Sequence, residues 1–214
     1  MIEIAVGCVV GIALVGLIVR LATSRRRWMR RHPAPTFVFA DLVGYTALTE
    51  EHGDEAAAQV AREFRRTMCA LSREHGAWQV KSMGDGVMIW SPDAGQAVAL
   101  AAHTVEDVGT RPDLLPVRVG VHTGPAVMRG CDWYGSAVNV AARLADQAEP
   151  NEALISAATR DAVDGRDARS LADRRELALR GVGRPVSAWR LASPPGQPIV
   201  TLPARPSSRS AIWR

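Results

Sequence analysis

The triplet Gly84-Asp85-Gly86 stands between two short apolar runs, Trp78 to Val80 and Val87 to Trp90. An Asp-Gly step between such runs is a strong hairpin signal, so the middle of the chain is committed to two antiparallel strands with a carboxylate at their turn. Upstream, Thr36 to Ala40 is a compact apolar run suited to a buried strand, and Asp41 ends it. Between the two, from about Gly53 to Glu74, Ala57, Val60, Ala61, Phe64, Met68 and Leu71 recur at helical spacing. Downstream, Ala94 to Val108 and Ala137 to Ala148 read as helices. Pro116 to His122, Gly124 to Met128, Leu154 to Ser156 and Val186 to Leu191 read as strands. Strands and helices in this order predict an α/β or α+β sandwich, with helices packed on a sheet.

The ends of the chain differ from this middle. Ile4 to Val19 is apolar without a break, and with Leu21 and Ala22 it approaches the ~20 residues a membrane-spanning helix needs. Arg25, Arg26, Arg27, Arg30 and Arg31 follow at once. A basic cluster after the apolar run, with none before it, reads as a span with its arginines on the cytoplasmic side, and not as a cleaved signal peptide. The expected organisation is a transmembrane helix at 1–23, a basic linker at 24–35, one globular domain at 36–192 and a disordered Pro/Ser/Arg-rich tail at 193–214. The expected location is the inner membrane, single-pass, with the domain in the cytoplasm.

The net charge of +4 is concentrated in the same stretch, because six of the 26 basic residues lie between Arg20 and Arg31. The remainder is close to neutral, so the collar suits an anionic lipid surface, and no basic stripe interleaved with aromatics suggests nucleic acid. The three cysteines, Cys8, Cys69 and Cys131, are odd in number and widely spaced with no C-x-x-C pair, which argues against a disulfide framework or a structural zinc site and for reduced thiols.

Three groups of residues carry chemistry. Asp41 and Asp85 stand at strand ends that can lie side by side, and paired carboxylates there attract a hard divalent cation that also binds phosphate. The Gly44-Tyr45-Thr46 turn opens a helix, and its backbone N–H groups and the Thr46 hydroxyl suit phosphate oxygens. Taken singly, Asp41 reads better as a helix cap and Asp85 as an ordinary turn residue, because turn aspartates are common. Lys81 is the one lysine among the 26 basic residues, on the strand entering the hairpin. Its compact ammonium suits a ring nitrogen where the arginine fork does not, although taken by itself Lys81 reads better as a solvent-facing strand residue. Asn139 and Arg143 are four apart on a predicted helix and share a face.

Together these segments resemble the catalytic domain of class III adenylate and guanylate cyclases. The resemblance rests on Phe39-x-Asp41-x-x-Gly44-Tyr45-Thr46, Lys81-x-x-Gly84-Asp85-Gly86, Arg118-x-Gly120-x-His122-x-Gly124 and the block from Asp132 to Arg143, in that order. It implies an α+β fold, the ferredoxin-like cyclase sandwich. It implies two divalent metal ions, Mg²⁺ or Mn²⁺, held by Asp41 and Asp85, with the Leu42 carbonyl as an extra ligand. Lys81 and Asp132 match the pair that reads adenine, Asn139 the residue that orients the ribose, and Arg143 the one that stabilises the transition state. Thr46 and Arg118 fall at phosphate-contacting positions, and Arg180 sits where many relatives have a phosphate-binding lysine. The implied activity is conversion of ATP to 3′,5′-cyclic AMP at sites shared by two chains of a homodimer. A guanylate cyclase, and a membrane-tethered nucleotide-binding or dimerisation module without turnover, are the competing readings.

Overall fold

The structure is a computed structural model that describes residues 34–163 and 171–191. The expected span, nearly all of the basic linker and the tail lie outside the described residues. Among the described residues no helix is long and apolar enough to cross a membrane.

The chain runs β1 (Thr36–Leu42), α1 (Tyr45–Glu74), β2 (Trp78–Met83), β3 (Gly86–Ser91), α2 (Ala94–Thr110) and β4 (Val117–Thr123). Those six elements make a β-α-β-β-α-β unit, and its strands pair antiparallel in the order β2-β3-β1-β4, the ferredoxin-like arrangement. Then come β5 (Val127–Arg129), β6 (Asp132–Tyr134), α3 (Ser136–Gln147), β7 (Glu152–Ser156), α4 (Ala157–Ala162), β8 (Leu171–Leu177) and β9 (Val186–Leu191). Strand β7 joins β4 in parallel, and β9 and β8 extend the sheet to seven strands, while β5 and β6 form a separate hairpin.

Why β1 is an unbroken apolar run is visible in its two faces. Val38, Ala40 and Leu42 pack with Val60, Phe64 and Met68 of α1 and Leu100 and Ala101 of α2. Phe37 and Phe39 point the other way, into a second cluster with Ala137, Val138 and Ala141 of α3. A strand covered on both sides has no polar face to alternate with. Helix α3 reaches β4 closely because position 120 is glycine: a Cβ there would lie 2.3 Å from both the Ala141 carbonyl oxygen and the Ala145 nitrogen.

Several boundaries differ from the sequence reading. Helix α1 begins at Tyr45, not near Gly53, and bends at Gly53 (φ 83°, ψ 167°), so a polar first segment precedes the amphipathic one. The expected strand from Gly124 to Met128 is shorter and later, at Val127–Arg129, paired with β6. Strand β8 carries Asp173, Arg174, Arg175 and Glu176 on the sheet edge, where no apolar alternation is imposed. The hairpin turn is centred on Gly84-Asp85, not Asp85-Gly86, because Met83 pairs with Gly86. Gly84 supplies the positive φ of 69° at the first turn position.

Candidate active site

Strand pairing builds the carboxylate pair. Asp41 lies opposite Gly86 on one side and Arg118 on the other. Arg118 donates to Asp41 Oδ2 from Nη2 at 2.6 Å and from Nε at 3.0 Å. On the Gly86 side there is no room for a side chain, since a Cβ would stand 2.9 Å from Asp41 Oδ1. The Leu42 N–H donates to the Asp85 carbonyl at 3.3 Å, which ties the hairpin turn to the end of β1. Asp85 is held above the ordinary aspartate range, by burial first and by the negative charge of Asp41 second.

That pair fits a divalent cation shared with a phosphate. Two carboxylates converge, one of them raised by the other's charge, and added positive charge relieves both. Among the described residues no group of three or more His, Cys, Asp or Glu is placed to hold a metal ion. Helix α1 starts beside this point. Its cap is Gly44, in the left-handed region at φ 86°, with no side-chain hydrogen bond to the first turn. Asp41 is therefore not the cap that it resembles in sequence, and among the described residues the first-turn N–H groups carry no side-chain acceptor. Thr46 is exposed on this turn, whereas Tyr45 leans half-buried against the core.

A β-bulge decides where Lys81 points. On β2, Trp78 pairs with Trp90 and Lys81 with Met88, so three residues of β2 span two of β3, with the irregularity between Gln79 and Lys81. Strict alternation would send residues three apart to opposite faces; the extra residue restores them to one. Lys81 thus emerges on the face that carries Phe39, and its Nζ lies 2.6 Å from Asp132 Oδ2. The Trp133 N–H donates to the other Asp132 oxygen at 2.8 Å. Lys81 is the leading cause that holds the Asp132 carboxyl below the ordinary range.

Asn139 and Arg143 share the exposed side of α3. Arg143 Nη1 donates to Asp146 Oδ2 at 2.7 Å, and Asp146 Oδ1 stands 3.9 Å from Arg118 Nη2. Asp146 thus links the arginine of α3 to the arginine on Asp41. Its i+3 spacing from Arg143 is legible in the sequence, but its proximity to Arg118 comes only from α3 lying on Gly120. Arg180 is exposed in the β8–β9 connection. By strand direction that connection leaves the sheet at the end holding Thr36, Thr123 and Ser156, opposite the Asp41 end. The structure brings together Asp41, Asp85 and Arg118, and separately Lys81 and Asp132; Arg180 joins neither group within the chain.

The family model described as the adenylate and guanylate cyclase catalytic domain matches residues 28–192. The chain belongs to this family. An adenylate cyclase of Mycobacterium tuberculosis, named as pH-sensitive, is 36% identical over 131 residues, which is 60% of this chain and 32% of that protein. An adenylate cyclase of Streptomyces griseus is 32% identical over 146 residues, covering 68% of this chain and 36% of that one. The chain spans about a third of the length of these curated relatives. Among solved structures, an adenylate cyclase of Trypanosoma brucei, described in its monomeric state, superposes with a TM-score of 0.68 at 24% identity. That alignment covers 74% of this chain and 88% of the other, and it shows that the cyclase domain fold is shared.

Proposed function

We propose that this cyclase domain converts ATP to 3′,5′-cyclic AMP and pyrophosphate, at sites completed by two copies of the chain. The observation that carries the choice of base is the 2.6 Å contact between Lys81 and Asp132. An ammonium donates and a carboxylate accepts. Adenine presents a ring-nitrogen acceptor beside an amino donor, so the pair matches its edge. With Lys81 set on the ring nitrogen and Asp132 on the exocyclic group, guanine presents a ring N–H donor to the ammonium and a carbonyl acceptor to the carboxylate, which sets like against like. The names of the relatives from Mycobacterium and Streptomyces support the same choice.

In this reading the ribose 3′-hydroxyl gives its proton to Asp41 or to water, its oxygen attacks the α-phosphorus in line, and the bond from that phosphorus to the β-phosphate oxygen breaks as pyrophosphate leaves on the opposite side. Asp41, Asp85 and the Leu42 carbonyl would hold two divalent ions, Mg²⁺ or Mn²⁺, which when bound would lower the pKa of the 3′-hydroxyl and neutralise the triphosphate. Arg118 and the first-turn amides at Gly44, Tyr45 and Thr46 hold phosphate oxygens. Asn139 orients the ribose. Arg143 exchanges Asp146 for the negative charge that develops on the transferring phosphoryl group, where a pre-organised donor stabilises the transition state.

Two features support a homodimer. Trp78, Met83, Val127, Met128 and Tyr134 leave large apolar side chains about half exposed on β2 and on the β5–β6 hairpin. Arg180 leaves the sheet at the end away from its own chain's carboxylates, so its phosphate contact belongs to a partner's site. The apolar run at residues 4–19, extended by Leu21 and Ala22, anchors the dimer in the inner membrane, with the domain in the cytoplasm. Mixing an Asp41→Ala chain with an Arg143→Ala chain tests the shared site. Each variant alone is inactive, and the mixture regains activity because one of the two sites in a mixed dimer is intact. No recovery in a mixture shown to form mixed dimers rejects the shared site.

A further inference from the structure

Three of the chain's six tryptophans, at positions 78, 90 and 133, come together beside the Lys81–Asp132 pair. Trp78 and Trp90 face each other across β2 and β3 and stack with centroids 4.9 Å apart. Trp90 in turn lies opposite Phe37 of β1. Onto this cross-strand row the β5–β6 hairpin lays a single aromatic ring. Trp133 sits 5.3 Å from Trp90 and meets Phe37 edge-on at 5.6 Å.

Asp132 is not on the seven-stranded sheet, whereas Lys81 is. Their meeting at 2.6 Å depends on how the hairpin docks. The backbone of Trp133 holds one oxygen of Asp132, which leaves the other for Lys81. The same residue therefore anchors the hairpin through its ring and aims the carboxylate through its N–H. Aromatic contacts of this geometry stabilise beyond the area they bury, so the ladder is a stiff support.

We propose that Trp133 is a positioning residue for base recognition: seated on Trp90 and Phe37, it sets the Lys81–Asp132 pair before the nucleotide arrives. This rests on the reading above that the pair faces the base. A residue with a merely structural role lowers the active fraction, and so kcat, without changing KM or the preference between ATP and GTP. Loosening the pair acts on nucleotide binding and on that preference.

The test compares kcat and KM for ATP and GTP in the full-length chain carrying Trp133→Ala, Trp133→Leu, Trp133→Phe, Lys81→Ala or Asp132→Ala. Trp133→Ala is expected to raise KM for ATP about tenfold and to narrow the ATP-to-GTP ratio of kcat/KM, as a misplaced contact does, with kcat within about threefold. Trp133→Phe, which keeps a ring on Trp90, recovers most of both. Should Trp133→Ala fail to fold, Trp133→Leu keeps the apolar filling without the ring and is expected to show the same split. If Lys81→Ala and Asp132→Ala lose the base preference while the folded Trp133 variants keep it, or lose only kcat, the positioning role is overturned. If Lys81→Ala and Asp132→Ala also keep the preference, the base-reading assignment itself falls, and this proposal with it.

Discussion

Arg118 clasps a single oxygen of Asp41, with Nη2 at 2.6 Å and Nε at 3.0 Å, while the other oxygen rests against Gly86. The guanidinium is thus the nearest counter-charge to a carboxylate that also raises Asp85. Removing it leaves two carboxylates facing each other and, in the proposed reading, takes away a hydrogen-bond donor to the phosphates. Arg118→Ala is expected to lower kcat/KM for ATP by about 10²–10³, the usual effect of losing one pre-organised donor. Arg118→Lys is expected to recover only part, because an ammonium cannot present the two N–H groups of the fork. Initial rates against ATP and metal concentration measure both, and unchanged kcat/KM in Arg118→Ala removes Arg118 from the phosphate site.

Gly120→Ala tests how α3 is held. The added methyl meets backbone atoms of Ala141 and Ala145 at 2.3 Å, and backbone cannot rotate aside. The helix must move away from β4, at a cost of about 1–3 kcal/mol or more, as overpacked cores show. Asn139 and Arg143 travel with it, so activity is expected to fall further than the melting temperature alone accounts for. Gly183, where an added methyl would meet nothing within 4 Å, is the control: Gly183→Ala is expected to melt close to the parent.

His122 makes stability depend on pH. Its Nδ1 lies 2.8 Å from Ser156 Oγ, within a chain of hydroxyls that runs through Thr159 and Thr123 to Thr36. Burial pushes the imidazole down to about 4. The unfolded chain takes up a proton at this residue below about pH 6.5, and the folded one does not until near 4. The unfolded state therefore binds more protons in that window, and stability falls as pH drops through it, by at most about 1.4 kcal/mol per pH unit from this group. Urea unfolding of the parent and His122→Gln at pH 7, 6 and 5 is expected to show the gap between them narrowing toward acid. A gap independent of pH contradicts a histidine held neutral by the fold.

Much of the fold was legible because β1 is covered on both faces and reads as an apolar run, and because a glycine turn marks the β2–β3 hairpin. The polar first turns of α1 and the charged strand β8 were not, since neither buries enough apolar surface to impose a period. The same contrast holds in the site. Asp41, Asp85, Lys81 and Asp132 stood out by type and order, and the strands bring them into two pairs. The side to which Lys81 points was not legible, because only a bulge at one residue of β2 puts it on the face with Trp78. Asp146 and the Trp133 support were missed for a related reason. Each acts across elements distant in sequence, and their meeting depends on α3 resting on Gly120 and the hairpin resting on Phe37.

The most direct test of the central claim is product formation by the full-length chain given ATP or GTP with Mg²⁺ or Mn²⁺, the products separated by chromatography. The account predicts cyclic AMP from ATP in clear excess over cyclic GMP from GTP, and none from Asp85→Ala. Cyclic GMP as the main product, or cyclic AMP undiminished in Asp85→Ala, contradicts it.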